Sequence, residues 1–423
     1  MSNTQTKNVP ELRFPGFEGE WEEKKLGNLT TKIGSGKTPK GGSENYTNKG
    51  IPFLRSQNIR NGKLNLNDLV YISKDIDDEM KNSRTYYGDV LLNITGASIG
   101  RTAINSIVET HANLNQHVCI IRLKKEYYYN FFGQYLLSRK GKRKIFLAQS
   151  GGSREGLNFK EIANLKIFTP TIFEEQQKIG QFFSKLDQQI ELEEQKLELL
   201  QQQKKCYIQK IFSQELRFKD EEGNYYKGWN KKQLKDVLEF SNKRTINENE
   251  YPVLTSSRQG LILQSDYYKD RKTFAESNIG YFILPKNHIT YRSRSDDGIF
   301  KFNLNLMIDV GIISKYYPVF KGIDANQYYL TLHLNYQLKK EYIKYATGTS
   351  QLVLSQKDLQ NIKTKLPSYE EQQKIGDFFS EIDRLVEKQS SKVGRLKVRK
   401  KNYYKKCLFN PDNSLLIKMI KIL

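Results

Sequence analysis

Cysteine is scarce in this 423-residue chain. Cys119, Cys206 and Cys407 are too few and too scattered for a disulfide framework or a zinc site, and their default state is a reduced thiol. His117-x-Cys119 is an isolated pair, without further ligands at metal spacing. Long apolar runs are missing as well. None reaches the ~18–20 residues of a membrane span. The start, MSNTQTKNVPELRF, has no apolar signal-peptide core, so a cytoplasmic protein without membrane contact is expected. Catalytic signatures are also absent. GSGKTPK (34–40) invites comparison with a phosphate loop, but the first glycine of such a loop would fall at Thr31. No G-x-G-x-x-G opens a helix after a strand, no N-P-P-Y-type adenine methyltransferase motif occurs, and there is no nucleophile elbow. These absences favour a binding protein over an enzyme.

What the chain has in excess is positive charge and a repeat. It holds 69 Lys+Arg against 47 Asp+Glu, a net +22. Residues 174–212 carry −1 and residues 370–409 carry +5, so most of the excess lies in the remaining segments. A basic balance of this size favours a polyanionic partner. The repeat is EEQQKIGQFFS at Glu174–Ser184 and EEQQKIGDFFS at Glu370–Ser380, 196 residues apart. That spacing is far beyond the about 20–50 residues of a solenoid repeat and implies two copies of a whole module. The similarity extends upstream, where 151–170 aligns with 348–367. Downstream, Lys204, Lys205, Tyr207 and Lys210 match Lys400, Lys401, Tyr403 and Lys406. Each half also opens with Leu-Arg-Phe, at Leu12 and Leu216, and runs to one of the two Trp residues, Trp21 and Trp229. Between these shared parts, 30–150 and 242–346 show no convincing match. The plan is frame, divergent insert, frame, divergent insert.

Each EEQQKIG segment follows a proline and opens on a fit to the capping box, Thr171-x-x-Glu174 or Ser368-x-x-Glu371. Positions alternately four and three apart then form a heptad stripe. The first copy reads Ile179, Phe183, Leu186, Ile190, Glu193, Leu197, Leu200, Lys204, Tyr207, Ile211. The second reads Ile375, Phe379, Ile382, Val386, Gln389, Val393, Leu396, Lys400, Tyr403, Cys407, with its polar exceptions at the same two places. A sustained stripe of this kind argues for a coiled coil, and matched polar positions for a fixed register. About 40 residues at 1.5 Å rise give a rod of about 60 Å. Helices separated by a globular insert can pair antiparallel within one chain. Gly394 weakens the second helix locally.

The inserts read as mixed α/β. Strands are expected in 89–100 (followed by a Gly/Ser loop), in 117–123, and in 281–293 as two strands meeting at a turn. Helices are expected over 128–146 and 327–345. Loop-borne polar residues are the candidates for nucleic-acid contact, because Arg reads guanine, Asn and Gln read adenine, and Lys neutralises phosphate. In the first insert these are Lys37, Thr38, Arg55, Asn58, Arg60, Thr95, Ser98 and Arg101. In the second they are Lys243, Arg244, Ser257, Arg258, Arg292, Arg294 and Lys301, with the RSRS cluster at 292–295 foremost. Phe182 and Phe378 flank the heptad stripes as apolar surface for a partner subunit to cover.

The order of insert, EEQQKIG helix, insert, EEQQKIG helix resembles the specificity subunits of type I restriction-modification systems along essentially the whole chain. GSGKTP followed by Gly50-Ile51-Pro52-Phe53 is similar to that family's Gly-x-Thr-Pro loop and next strand. GDVLLNITGASIG and Asn-Leu-Asn-Gln-His (113–117) resemble its central and late segments. The second insert lacks both glycine loops. The resemblance implies an α+β chain with a pseudo-two-fold internal repeat. A first target recognition domain is expected at 1–170, a long helix at 171–213, a second recognition domain at 214–367, a distal long helix at 368–410 and a tail at 411–423. The two long helices would pair as an antiparallel coiled coil. It further implies a non-catalytic DNA-recognition subunit that reads a bipartite, asymmetric site on double-stranded DNA. Two methyltransferase subunits using S-adenosylmethionine and two motor-nuclease subunits using ATP and magnesium would supply the chemistry, with no cofactor on this chain. A two-headed nucleic-acid scaffold without a restriction role is the alternative.

Overall fold

The computed structural model describes residues 8–149, 156–268, 277–408 and 418–419. Two helices stand out, Phe173–Phe212 and Tyr369–Cys407, of 40 and 39 residues. The chain divides into two compact units, Met1–Gln195 with Ser390–Leu423, and Lys196–Gln389. Each unit therefore holds one mixed α/β domain and one half of each long helix. Position 410 and the expected tail lie outside the described residues, except Lys418–Met419, which pair in parallel with Leu12–Arg13.

In the first unit a four-stranded antiparallel sheet runs in the order Thr102–Ile104, Val90–Asn93, Val118–Leu123, Thr30–Ser35. Its central strands are continuous apolar runs, as expected of strands covered on both faces. Leu92, Cys119 and Ile121 pack toward Trp21, Phe131 and Phe183. Leu91, Val118 and Ile120 pack on the other side with Leu54 and Leu114, from a second sheet. The expected helix over 128–146 is two helices, Tyr129–Leu137 and Arg139–Leu147. Ser138 adopts an extended conformation between them, and its hydroxyl accepts the Gly141 N–H at 3.1 Å.

The second unit repeats this plan without repeating its sequence. Its sheet runs Phe302–Leu304, Ile289–Tyr291, Val319–Gly322, Leu238–Ser241, again antiparallel throughout. Numbered by chain position, both sheets have the order third, second, fourth, first. The inserts thus share the order of the main sheet without sharing side chains, but not every sheet: the first adds a second four-stranded sheet, where the second has two-stranded ones. The strands Phe282–Pro285 and Ile289–Tyr291 do meet near a turn, at Asn287 with φ of 61°, but they join different sheets. The helices after the sheet are Gln327–Tyr336 and Tyr342–Tyr345.

Within each unit the two helix halves run antiparallel. In the first, Phe182 meets Tyr403 with ring centroids 5.1 Å apart, Phe183 stacks on Tyr404 at 4.5 Å, and Lys392 binds Glu193 at 2.8 Å. In the second, Tyr207 meets Phe378 at 5.2 Å. Ile179, Phe183, Leu186, Ile190, Val393, Ile375 and Phe379 are buried, whereas Leu197, Leu200, Ile382, Val386 and Leu396 are half-buried. The matched lysines of the stripe do not face each other. Lys400 pairs with Asp187 in the first unit, and Lys204 with Asp383 in the second.

The repeated motif has a structural meaning at almost every letter. Glu175 is fully buried and receives the Arg13 guanidinium on both oxygens at 2.7 Å, with Trp21 Nε1 3.3 Å away. Gln176 accepts the Tyr128 N–H at 2.9 Å and donates to the Pro170 carbonyl. Gln372 accepts the Asn326 N–H at 3.2 Å and donates to the Pro367 carbonyl. Gly180 lets the helix approach the domain: a Cβ there would lie 2.9 Å from the Phe131 nitrogen, and one at Gly376 would lie 2.6 Å from Asn326 Oδ1. The second capping box is incomplete. The Ser368 hydroxyl accepts the Glu371 N–H at 3.4 Å, while the Glu371 side chain turns into the interior.

Candidate nucleic-acid interface

In the first domain the loops that leave and enter the central strands converge at one end of the sheet. Gly36 is obligatory there, since a Cβ would sit 1.9 Å from the Leu114 carbonyl oxygen. The backbone then continues with Gly36 N–H donating to Val118 and Lys37 N–H to Leu114, at 3.2 and 2.9 Å. That exposes the Lys37 side chain. Next in line, the Thr38 hydroxyl donates to Gln116 Oε1. Gln116 Nε2 lies 3.3 Å from His117 Nε2, and His117 Nδ1 lies 2.6 Å from Thr95 Oγ1. Asn93 donates to Ser98 Oγ at 3.0 Å and to the Ser56 carbonyl at 2.9 Å. Two polar sets result: one joins Thr38, Gln116, His117 and Thr95, and the other joins Ser98 through Asn93 to the turn at 55–58. Arg60 is exposed, and Arg101 lines a cavity with Lys142 and Arg143.

Two candidates of this domain are built into the scaffold. Asn58 is fully buried, its amide oxygen accepting the Arg55 N–H at 2.8 Å and its nitrogen donating to Asn65 at 2.9 Å. It shapes a turn and is not available to a base. Arg55 is half-buried, donates to the Asp68 carbonyl at 2.9 Å and lies over the Tyr46 ring. Cys119 sits in the sheet core, where burial pushes its thiol up to about 12, so it makes no ligand pair with His117. Among the described residues no group of three or more His, Cys, Asp or Glu could hold a metal.

In the second domain Arg292 and Arg294 are exposed, and Arg294 lies over the Tyr316 ring, 5.6 Å from its centroid. The Ser293 hydroxyl donates to the Tyr316 carbonyl at 3.0 Å. Arg258 binds Asp297 at 2.7 Å. The Asp297 carboxyl is held below its ordinary range by hydrogen bonds from Ser295, the Ile299 N–H and Arg258. Lys243 is exposed. Arg244 is exposed but turned back, donating to the Gly280 carbonyl at 2.9 Å and stacking on Phe282. Ser257 hydrogen-bonds the Gly260 carbonyl at 2.9 Å and so closes its own hairpin. Lys301 stands apart from this cluster. It lies beside Tyr336, Lys204 and Asp383 of the helical region, and burial pushes its amine pKa down.

The expected partner-facing phenylalanines are half-buried, each packed on one side within the chain. Phe182 packs edge-on against Phe14, Phe183 and Tyr403, and Phe378 against Phe218, Phe379 and Tyr207. The Leu-Arg-Phe repeat supplies Phe14 and Phe218, which cover the apolar flank. Gln116, His117, Lys315 and Tyr316 are not among the candidate contacts of the sequence. Gln116 and His117 fall within the 113–117 segment that resembles the family, and Lys315 and Tyr316 have no signal but their position before the last strand of the sheet.

Residues 18–202 and 226–395 match the family described as type I restriction modification DNA specificity domain. A Methanocaldococcus jannaschii protein provisionally named type I restriction enzyme MjaX specificity subunit is 24% identical over 427 residues, covering 95% of this chain and 94% of that protein. The EcoBI specificity subunit of Escherichia coli is 31% identical over 144 residues, 33% of this chain and 30% of that protein. The crystal structure of a type I restriction-modification system S subunit from M. genitalium shares the fold with a TM-score of 0.62 at 16% identity, covering 95% of this chain and 99% of that one. With both matched segments spanning most of its length, this chain belongs to the type I restriction-modification DNA specificity family and is a non-catalytic subunit with two DNA-recognition domains.

Proposed function

We propose that each domain reads one part of a bipartite, asymmetric site on double-stranded DNA, and that the frame serves as spacer and platform for the subunits that carry the chemistry. The observation that carries this reading is the pairing of one sheet order, used twice, with two unrelated sets of loops. Shared topology supplies the same platform, and divergent loops supply different base contacts. Charge supplies the rest: a net +22 favours the phosphate backbone, which gives affinity without sequence preference. The contact residues are drawn from Lys37, Thr38, Arg60, Thr95, Ser98, Arg101, Lys243, Arg258, Arg292 and Arg294. Two methyltransferase subunits, bringing S-adenosylmethionine, would dock on the twice-repeated frame and methylate adenine. Two motor-nuclease subunits would bring ATP and magnesium. No cofactor is assigned to this chain. Two half-sites one turn of duplex apart are separated by about 35 Å, and each long helix is continuous across both units.

Co-expression with the methyltransferase subunit of the same system, followed by mapping of methylated adenines across the host genome, tests this. A motif of two defined parts separated by a fixed unspecified gap is expected. Removing an equal number of residues from both long helices should alter the gap and leave the two parts intact. A single uninterrupted motif, or no motif, would overturn the reading.

A further inference from the structure

Different residues make one equivalent contact in the two domains. In the first, Asn115–His117 leads into Val118–Leu123, the fourth strand of the sheet by chain order. It meets the loop leaving Val90–Asn93, the second strand, through Thr95 and His117 at 2.6 Å. In the second, Lys315–Tyr317 leads toward Val319–Gly322, again the fourth strand. It meets the loop leaving Ile289–Tyr291, again the second, through the Ser293 hydroxyl on the Tyr316 carbonyl at 3.0 Å and Arg294 over the Tyr316 ring. The fold therefore brings the same two loops together twice. Nothing in the sequence of either segment resembles the other: Asn-Gln-His faces Lys-Tyr-Tyr.

The residue at the tip of each segment is exposed and oriented by neighbours, not by burial. Gln116 is exposed, with its amide oxygen fixed by Thr38 and its amide nitrogen beside His117. Tyr316 is 57% exposed and has two cations over its ring, Arg294 and Lys315, each 5.6 Å from its centroid. An oriented primary amide can pair with the N6/N7 edge of adenine, and an Arg held on an aromatic face can present its fork to O6/N7 of guanine. Orientation before binding lowers the ordering cost of contact, which makes these tips better readers than free side chains.

We propose that Gln116, and Tyr316 together with the Arg294 it carries, are equivalent specificity positions. Each selects a base in its own part of the DNA site, Gln116 by its amide edge and Tyr316 by holding Arg294 toward guanine. This rests on the reading of each domain as a half-site reader. The test uses the full chain with its methyltransferase partner and selects bound duplexes from a randomised library. The proteins compared are the wild type, Gln116→Ala, Gln116→Arg and Tyr316→Ala. Gln116→Ala should lower discrimination at one base pair of one half-site by about tenfold or more and leave the other half unchanged. Gln116→Arg should move the preference at that same pair toward guanine. Tyr316→Ala should relax one pair in the other half-site. Wild-type preference at every pair in all three variants would overturn the assignment. So would binding that weakens equally for all sequences, with or without a lower melting temperature. In both cases the wild type would still select a bipartite site, so the half-site reading would survive. A wild type that selects no sequence would overturn that reading and the assignment with it.

Discussion

Arg13, Trp21 and Glu175 meet in the first unit, and Arg217, Trp229 and Glu371 are their repeat counterparts in the second. The first set is complete: the guanidinium forks onto the carboxylate, which charge-assisted pairing makes strong. The second is not. Arg217 donates to the carbonyls of Tyr226 and Lys227, and Glu371 keeps a buried Oε2 without a hydrogen-bond partner. Burial pushes the Glu371 carboxyl above its ordinary range, opposed in part by Trp229 and by the charge of Arg217. The native state thus holds a proton there more tightly than the unfolded chain. Its contribution is fully favourable below the unfolded carboxylate pKa and is lost as pH rises through that value to the raised one. Glu175→Gln and Glu371→Gln should therefore part ways at neutral pH. The first leaves Arg13 facing a neutral amide and should cost about 3 kcal/mol or more. The second removes a buried charge that Trp229 and Arg217 compensate only in part, so it should be neutral or stabilising and should remove this group's loss of stability on raising pH. Thermal unfolding of both variants across pH 4–8 checks this, and equal destabilisation would refute it. The copies Arg13/Arg217 and Trp21/Trp229 were visible in the sequence as repeats. Their meeting with a glutamate more than 140 residues away was not, because nothing local links them.

At the scale of the helix, the heptad stripe was legible, since its period follows from 3.6 residues per turn and the need to bury an apolar face. Its polar exceptions were legible as positions but not as partners. Asp187 and Asp383 lie one residue outside the stripe, and in an antiparallel pair each meets the lysine of the other copy's helix. The same limit hid the shared sheet order of the inserts, which is set by backbone pairing among strands far apart in sequence. The Lys400 and Asp187 side chains are 18% and 31% exposed, and Asp187 also accepts from Gln134 at 3.1 Å, so the pair is fixed rather than dangling. Asp187→Lys should place two cations together and destabilise the first unit by about 1 kcal/mol or more. Adding Lys400→Asp should recover most of that loss, with a coupling of about 0.5–3 kcal/mol. A double variant no more stable than the sum of its singles would show that the pair does not set the register.

For the whole molecule, what matters is that recognition is divided while the frame is shared. The main core of the first unit draws on Trp21, Leu92, Phe131, Ile179 and Phe183, and that of the second on Leu234, Phe302, Phe320, Ile375 and Phe379, with no residue in common. Each core joins an insert to its own copy of the EEQQKIG frame. An insert from another member of the family meets the same demands if it brings the same strand order and an aromatic helix after its last strand, where Phe131 and Phe132 now pack edge-on at 5.1 Å. Exchanging residues 30–150 for such an insert should therefore leave the second core, with the loops it supports, as it is. The expected readout is a methylation motif in which one part changes to that of the donor protein while the other part and the gap stay constant. The methylated-adenine map of the chimera, set beside those of its two parents, decides the matter. A motif altered in both parts would mean that the two domains read the site jointly. An unaltered motif would mean that residues 30–150 do not read the DNA, and the assignment of Lys37, Thr38, Arg60, Thr95, Ser98 and Arg101 would fall together.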